Sequence, residues 1–128
     1  MMTARAAALR QWIGRAKKIH DKLYPYEQAV RNLDGACGID SICRERDRLR
    51  AKEAAARLEL YDLLTNAVLP PRQFTILNLH YLQYESWTAI ANKLNIERRY
   101  ALQIHLQAIE RLASQREINK GFLLGASP

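Results

Sequence analysis

Cysteine, glycine and proline are all scarce in this chain, and each scarcity narrows what it can be. There are two cysteines, Cys37 and Cys43, and three scattered histidines. No third ligand lies near the cysteine pair, so a zinc site is not expected and free thiols in a reducing cytosol are. With 5 glycines and 4 prolines in 128 residues, against long stretches of Ala, Leu, Arg and Glu, the composition favours a nearly all-helical protein. No glycine-rich phosphate loop and no His/Asp/Glu cluster at metal spacing is present, so neither catalysis nor a cofactor is expected. No apolar run approaches the ~20 residues of a membrane span. The opening "MMTARAAALRQWIGRAKK" lacks the apolar core of a secretory signal, which points to the cytoplasm.

What is abundant is positive charge. Net charge is +7, a balance that suits nucleic acid or an anionic membrane surface, and that also serves plain solubility. Residues 1–34 carry 7 Lys/Arg against 3 Asp/Glu, residues 35–68 carry 6 against 6, and residues 69–128 carry 7 against 4. The two ends therefore hold the positive field. The middle acids Glu45, Asp47, Glu53, Glu59 and Asp62 alternate with bases and read as a solvated face with i,i+4 pairs.

Apolar spacing predicts a first helix over about 3–23, striped by Leu9, Trp12, Ile13, Ala16, Ile19 and Leu23. Pro25 should kink or end it, with "YEQAVRNL" continuing helically to Leu33. "DGACGID" reads as a loop. A second long helix is expected over about 40–67. Ile42, Leu49, Ala56 and Leu63 form a heptad row there, but Arg46 and Glu53 interrupt its partner row. Packing back on the first helix is preferred to a free coiled coil. "LPP" at 69–71 is the clearest boundary, with Pro71 near the first position of the next helix. The expected domains are a helical hairpin and oligomerisation region over 1–68, a DNA-binding unit over 69–116, and a tail over 117–128. The fold class expected is all-α, a long N-terminal helical hairpin followed by a three-helix unit.

Within that unit, a helix over about 71–83 presents Phe74, Leu77 and Tyr81. A next helix starts behind Ser86, a good N-cap, and shows Trp87, Ile90, Ala91 and Leu94 at helical spacing. Asn95 stands where a tight turn needs a left-handed residue, and Ile96 plugs that turn into the core. The last helix, from Glu97 or Arg98 to about Gln115, turns Ala101, Ile104, Ala108 and Leu112 inward. This is the layout of a helix-turn-helix, whose second helix leads into the DNA major groove with its N-terminal residues.

Arg98 and Arg99 at the start of a helix oppose its dipole, at a cost of a few tenths of a kcal/mol each. Phosphate or a guanine edge would offset that cost, and glutamine can grip adenine as arginine grips guanine. The alternative is pairing with Glu97 or another surface acid. The DNA-reading residues expected are Arg98, Arg99, Leu102, Gln103, Leu106 and Gln107. Ser86, Thr88, Lys93 and His105 are candidate phosphate contacts, although His105, at the edge of the inner stripe, reads more simply as a partly buried histidine. His20 and His80 read as ordinary helix residues.

"LPPRQFTILNLHYLQYESWTAIANKLNIERRYALQIHLQAIERL" is similar to the promoter-reading C-terminal domain of bacterial sigma factors. It resembles more closely the small phage-encoded regulators of the RinA and ArpU kind. The shared elements are Ile76, Leu77, Leu79 and Tyr81, then Ser86, Trp87, Ile90, Ala91 and Leu94, then "RRY...IH..AI..L" from Arg98 to Leu112. The likeness covers about the last third of the chain. It implies a regulator of transcription of phage or prophage late genes, working in the cytoplasm of a bacterial host at the nucleoid. It implies double-stranded DNA as partner, RNA polymerase as a further candidate, and a homodimer built on the long helices. Glu97 departs from the Ser/Thr usual as cap, and Tyr100 from the usual Thr, which bears on base preference. The stretch holds only the promoter-reading part of a sigma factor. The competing expectation is a helical adaptor or a small-terminase-like packaging protein that binds DNA and protein.

Overall fold

Thr3 starts the first helix by accepting the Ala6 N–H at 3.1 Å on its hydroxyl, which satisfies one of the free donors of the first turn. The structure is a computed structural model and describes residues 3–32 and 40–115. Every regular element among them is helical: α1 (Ala4–Ile13), α2 (Arg15–Asn32), α3 (Asp40–Thr65), α4 (Pro71–Leu77) with a π-helical turn over Asn78–Leu82, α5 (Trp87–Leu94) and α6 (Arg98–Ser114). The chain is all-α, with a long helical hairpin of α2 against α3. The loop expected around 34–40 falls almost wholly outside the described residues, and the 117–128 tail does so entirely.

The first long helix differs from expectation in where it breaks. It stops and restarts at Gly14, whose N–H caps α1 on the Arg10 and Trp12 carbonyls. The helix instead runs on through Pro25. Proline inside a helix forfeits a backbone bond and crowds the preceding turn, at about 3 kcal/mol or more. Packing of α2 along α3 offsets this, and just beyond the proline Arg50 grips Glu27 with two hydrogen bonds of 2.6 and 2.7 Å.

α3 packs back on α2 as the interrupted heptad suggested, with Leu49, Ala56, Leu60 and Leu64 buried. Glu53 corrects the reading of a uniformly solvated acidic face: it is 8% exposed. Its carboxylate accepts from Tyr84 Oη at 2.5 Å and pairs with Arg57 at 3.1 Å. Tyr84 reaches it from the connection before α5, where its φ of 60° is unusual for a bulky residue. Its ring stacks on His20 at 4.2 Å, so the connection is tied to both hairpin helices. Cys43 is a second correction: it is disulfide-bonded rather than free. The expectation of a thiol rested on the lack of a nearby third metal ligand and on a reducing compartment, neither of which fixes local geometry. Cys37 lies outside the described residues.

Pro71 opens α4 at its first position, as expected. The π turn that follows was not foreseen. In it the Gln83 N–H reaches the Asn78 carbonyl, five residues back, at 3.1 Å. Residues five apart then share a face, so the buried pair Ile76 and Leu77 is followed by the buried pair Tyr81 and Leu82.

Two clusters fill the interior. The larger joins Ala6, Leu9 and Ile13 of α1 and Leu60 and Leu64 of α3 to Leu77, Tyr81 and Leu82 and to Ala108, Ile109, Leu112 and Ala113 of α6. The smaller holds Ile76, Ile90, Ala101 and Ile104, flanked by Trp87, Leu94 and Ile96. The first fixes the back of α6 against the N-terminal half, and the second fixes α5 under its start.

Candidate nucleic-acid interface

α5 begins at Ser86, whose Oγ accepts the Ala89 N–H at 3.1 Å. It ends in a Schellman arrangement. Asn95 adopts φ 56° and ψ 48°. The Ile96 N–H bonds to the Ala91 carbonyl at 3.0 Å and the Asn95 N–H to the Asn92 carbonyl at 3.3 Å. Ile96 packs into the cluster containing Ile90, the apolar contact that accompanies this motif. Ala91 is 5% exposed, and its small side chain keeps α5 close to the crossing. Glu97 then starts α6, but its side chain makes no cap hydrogen bond. The first-turn N–H groups of α6 thus lack the side-chain partner that Thr3 and Ser86 provide to α1 and α5.

With Ala101 and Ile104 buried, Arg98, Arg99, Gln103 and Gln107 are exposed and Leu106 is 40% exposed. Leu102 is only half-buried rather than free. At helical spacing these six form one arc along the outer side of α6. Among the described residues neither arginine forms an ion pair, with Glu97 or any other acid. Of the candidate phosphate contacts, Ser86 and Thr88 are exposed. Lys93 is engaged by Glu85 at 2.5 Å.

His105 is the residue the structure removes from that set. It is fully buried and so is not placed to touch a phosphate. It lies on the inner side of α6 because that helix is covered by α1 as well as by α4 and α5, which the apolar stripe alone did not reveal. Its Nε2 and the Tyr81 hydroxyl are 2.5 Å apart, and its ring lies 4.6 Å from Trp87. Burial pushes the imidazole down to about 3, helped by the positive charge of Arg10 and by His80. Burial likewise pushes the Tyr81 phenol up to about 12. His80 is not an ordinary helix residue either. It sits in the π turn, bonds through Nδ1 to the Glu85 carbonyl at 2.9 Å and stacks on Trp87 at 4.1 Å. Burial lowers its pKa against that hydrogen bond, with Lys17 and Arg10 adding to the lowering.

Beside the arc runs a groove of about 720 Å³. It is lined by Leu106 of α6, by His80 and Tyr81 of the π turn, and by Arg10, Lys17 and Lys18 of α1 and α2. Sequence reasoning noticed the basic excess of the first 34 residues but had no means of placing it next to α6. Among the described residues no group of three or more His, Cys, Asp or Glu side chains could hold a metal ion. No described helix is long and apolar enough to cross a membrane.

No family model matches this chain, and no curated protein or solved structure matches it.

Proposed function

We propose that this protein is a sequence-specific DNA-binding regulator of transcription that reads the major groove with α6. The observation that carries the reading is the pairing of a left-handed Asn95 turn with an exposed Arg98–Arg99–Gln103–Gln107 face on the helix it launches. Two arginines with no acidic partner among the described residues, at the positive end of a helix, are an arrangement that an outside anion would relieve. The resemblance to RinA- and ArpU-like regulators supports phage or prophage late genes as the target, in the cytoplasm of a bacterial host. RNA polymerase is then a natural second partner. A homodimer would double the few base contacts that one helix-turn-helix makes.

The second reading is an adaptor or small-terminase-like packaging protein. It is favoured by one feature, an apolar strip on α3 where Leu58 is 61% and Tyr61 53% exposed.

The deciding experiment is selection of the purified protein on randomised duplex DNA at two salt concentrations. The regulator reading expects an enriched motif and an affinity that falls steeply with salt. No enrichment, with weak binding driven by salt alone, would sink it and favour the adaptor. Sedimentation separates a dimer from the large rings of terminases.

A further inference from the structure

We infer that the groove between α6 and the α1–α2 helices is a second DNA contact, a phosphate-gripping strip that extends the footprint of α6. The inference rests on the DNA-binding reading above.

Three observations carry it. The first is continuity: Leu106 belongs both to the outer arc of α6 and to the wall of the groove, so a duplex lying along α6 runs onto the groove. The second is charge. Arg10, Lys17 and Lys18 stand along the groove against one acid, Asp21. Lys17 is held by Asp21 at 3.3 Å, and among the described residues Arg10 and Lys18 form no ion pair. The third is spacing. Helical bonding carries across the break, from the Gly14 N–H to the Arg10 carbonyl at 3.2 Å and from the Lys18 N–H to the Gly14 carbonyl at 3.1 Å. Arg10 on α1 and Lys18 on α2 are therefore about two turns apart, on the order of 10 Å, whereas a DNA strand carries a charge every ~3.4 Å along the axis. The strip is therefore long enough to meet more than one phosphate. A basic strip of this kind reads no bases. It positions the duplex and adds affinity that salt removes.

The test measures the affinity of the full chain for its selected duplex and for a random duplex of equal length, across a range of potassium chloride. The proteins compared are wild type, the Arg10→Gln/Lys18→Gln double variant, Asp21→Asn and Arg98→Ala. Each lost phosphate contact should lower the slope of log affinity against log salt by about 0.9. The double variant should therefore lose about 1.8 in slope and bind both duplexes more weakly by a similar factor, keeping its sequence preference. Asp21→Asn frees Lys17 and should steepen the slope, a gain that damage to the fold would not produce. If the double variant keeps the wild-type slope while Arg98→Ala weakens specific binding, the strip is wrong and the DNA reading stands. If the double variant loses sequence preference with its slope unchanged, Arg10 and Lys18 act on the placement of α6 and the strip is again wrong. If wild type binds neither duplex, both inferences fall.

Discussion

The Tyr81 hydroxyl and the His105 Nε2 lie 2.5 Å apart in the core although 24 residues separate them in sequence. The bond ties the π turn to α6, between the two apolar clusters. It is a buried polar join with apolar clusters on either side, and its loss should show the asymmetry of buried hydrogen bonds. His105→Leu removes one of the two side-chain partners of the Tyr81 hydroxyl, leaving Arg10, and should cost about 1–3 kcal/mol. Adding Tyr81→Phe removes the half-paired hydroxyl and should restore part of the loss. Urea denaturation of the two single variants and the double variant measures this. Strictly additive losses would show that the pair is not coupled.

The same histidine makes stability depend on pH. Its pKa falls from about 6.5 in an unfolded chain to about 3 when folded. Below pH 6.5 the unfolded chain binds a proton that the native state refuses. The stabilisation is therefore present above pH 6.5 and is lost as pH falls toward 3, at up to ~1.4 kcal/mol per pH unit. His80, also lowered, adds in the same direction. Between pH 6.5 and 5 the wild type should lose clearly more stability than His105→Leu. Parallel curves for the two proteins would assign the acid sensitivity elsewhere.

Asn95 carries the turn in a left-handed conformation. Asn95→Gly removes the Cβ penalty and should leave stability within about 0.5 kcal/mol of wild type, whereas Asn95→Val should cost about 1–2 kcal/mol. Thermal denaturation checks this. Equal melting temperatures for Gly and Val would mean the turn is not held as described.

Arg98→Ala should weaken binding to the selected DNA site by about 1–3 kcal/mol and relax preference at one base position, with no loss of thermal stability, since Arg98 is exposed and makes no ion pair among the described residues. A competition assay against sites varied one base at a time reads both effects. Unchanged affinity and preference would remove Arg98 from base reading.

Much of the candidate interface was legible in the sequence, because a tight turn between two short helices has strict local demands. Ser86 as cap, Asn95 in the left-handed region, Ile96 in the core and Ala101 under the crossing all follow from such demands, and the structure holds each of them there. What was not legible depends on neighbours far along the chain. A stripe of apolar residues shows which side of α6 is buried but not by what, so His105 stayed among the candidate phosphate contacts. Nothing in "NLHYL" announces a π turn. Glu53 looked solvated because the residue that satisfies it, Tyr84, is 31 positions away. Pro25 and Gly14 misled in opposite directions, since tertiary packing carried the helix through the one while a break fell at the other.

The backbone N–H of Thr3 bonds to the Glu110 carboxylate at 3.0 Å, across 107 residues of sequence, and Ala6, Leu9 and Ile13 share a cluster with Ile109 and Leu112. This has a consequence for how the protein is made. A ribosome releases α1 first and α6 about a hundred residues later, at roughly 5–20 residues per second. For those seconds the apolar side of α1 lacks the helix that completes its cover. The contacts of α1 with α6 span nearly the whole chain, so they close late, and until they do α1 offers chaperones an early strip of apolar surface to hold. By the same geometry, a graft of residues 69–115 onto another protein would carry α6 with the rear of that helix uncovered in water.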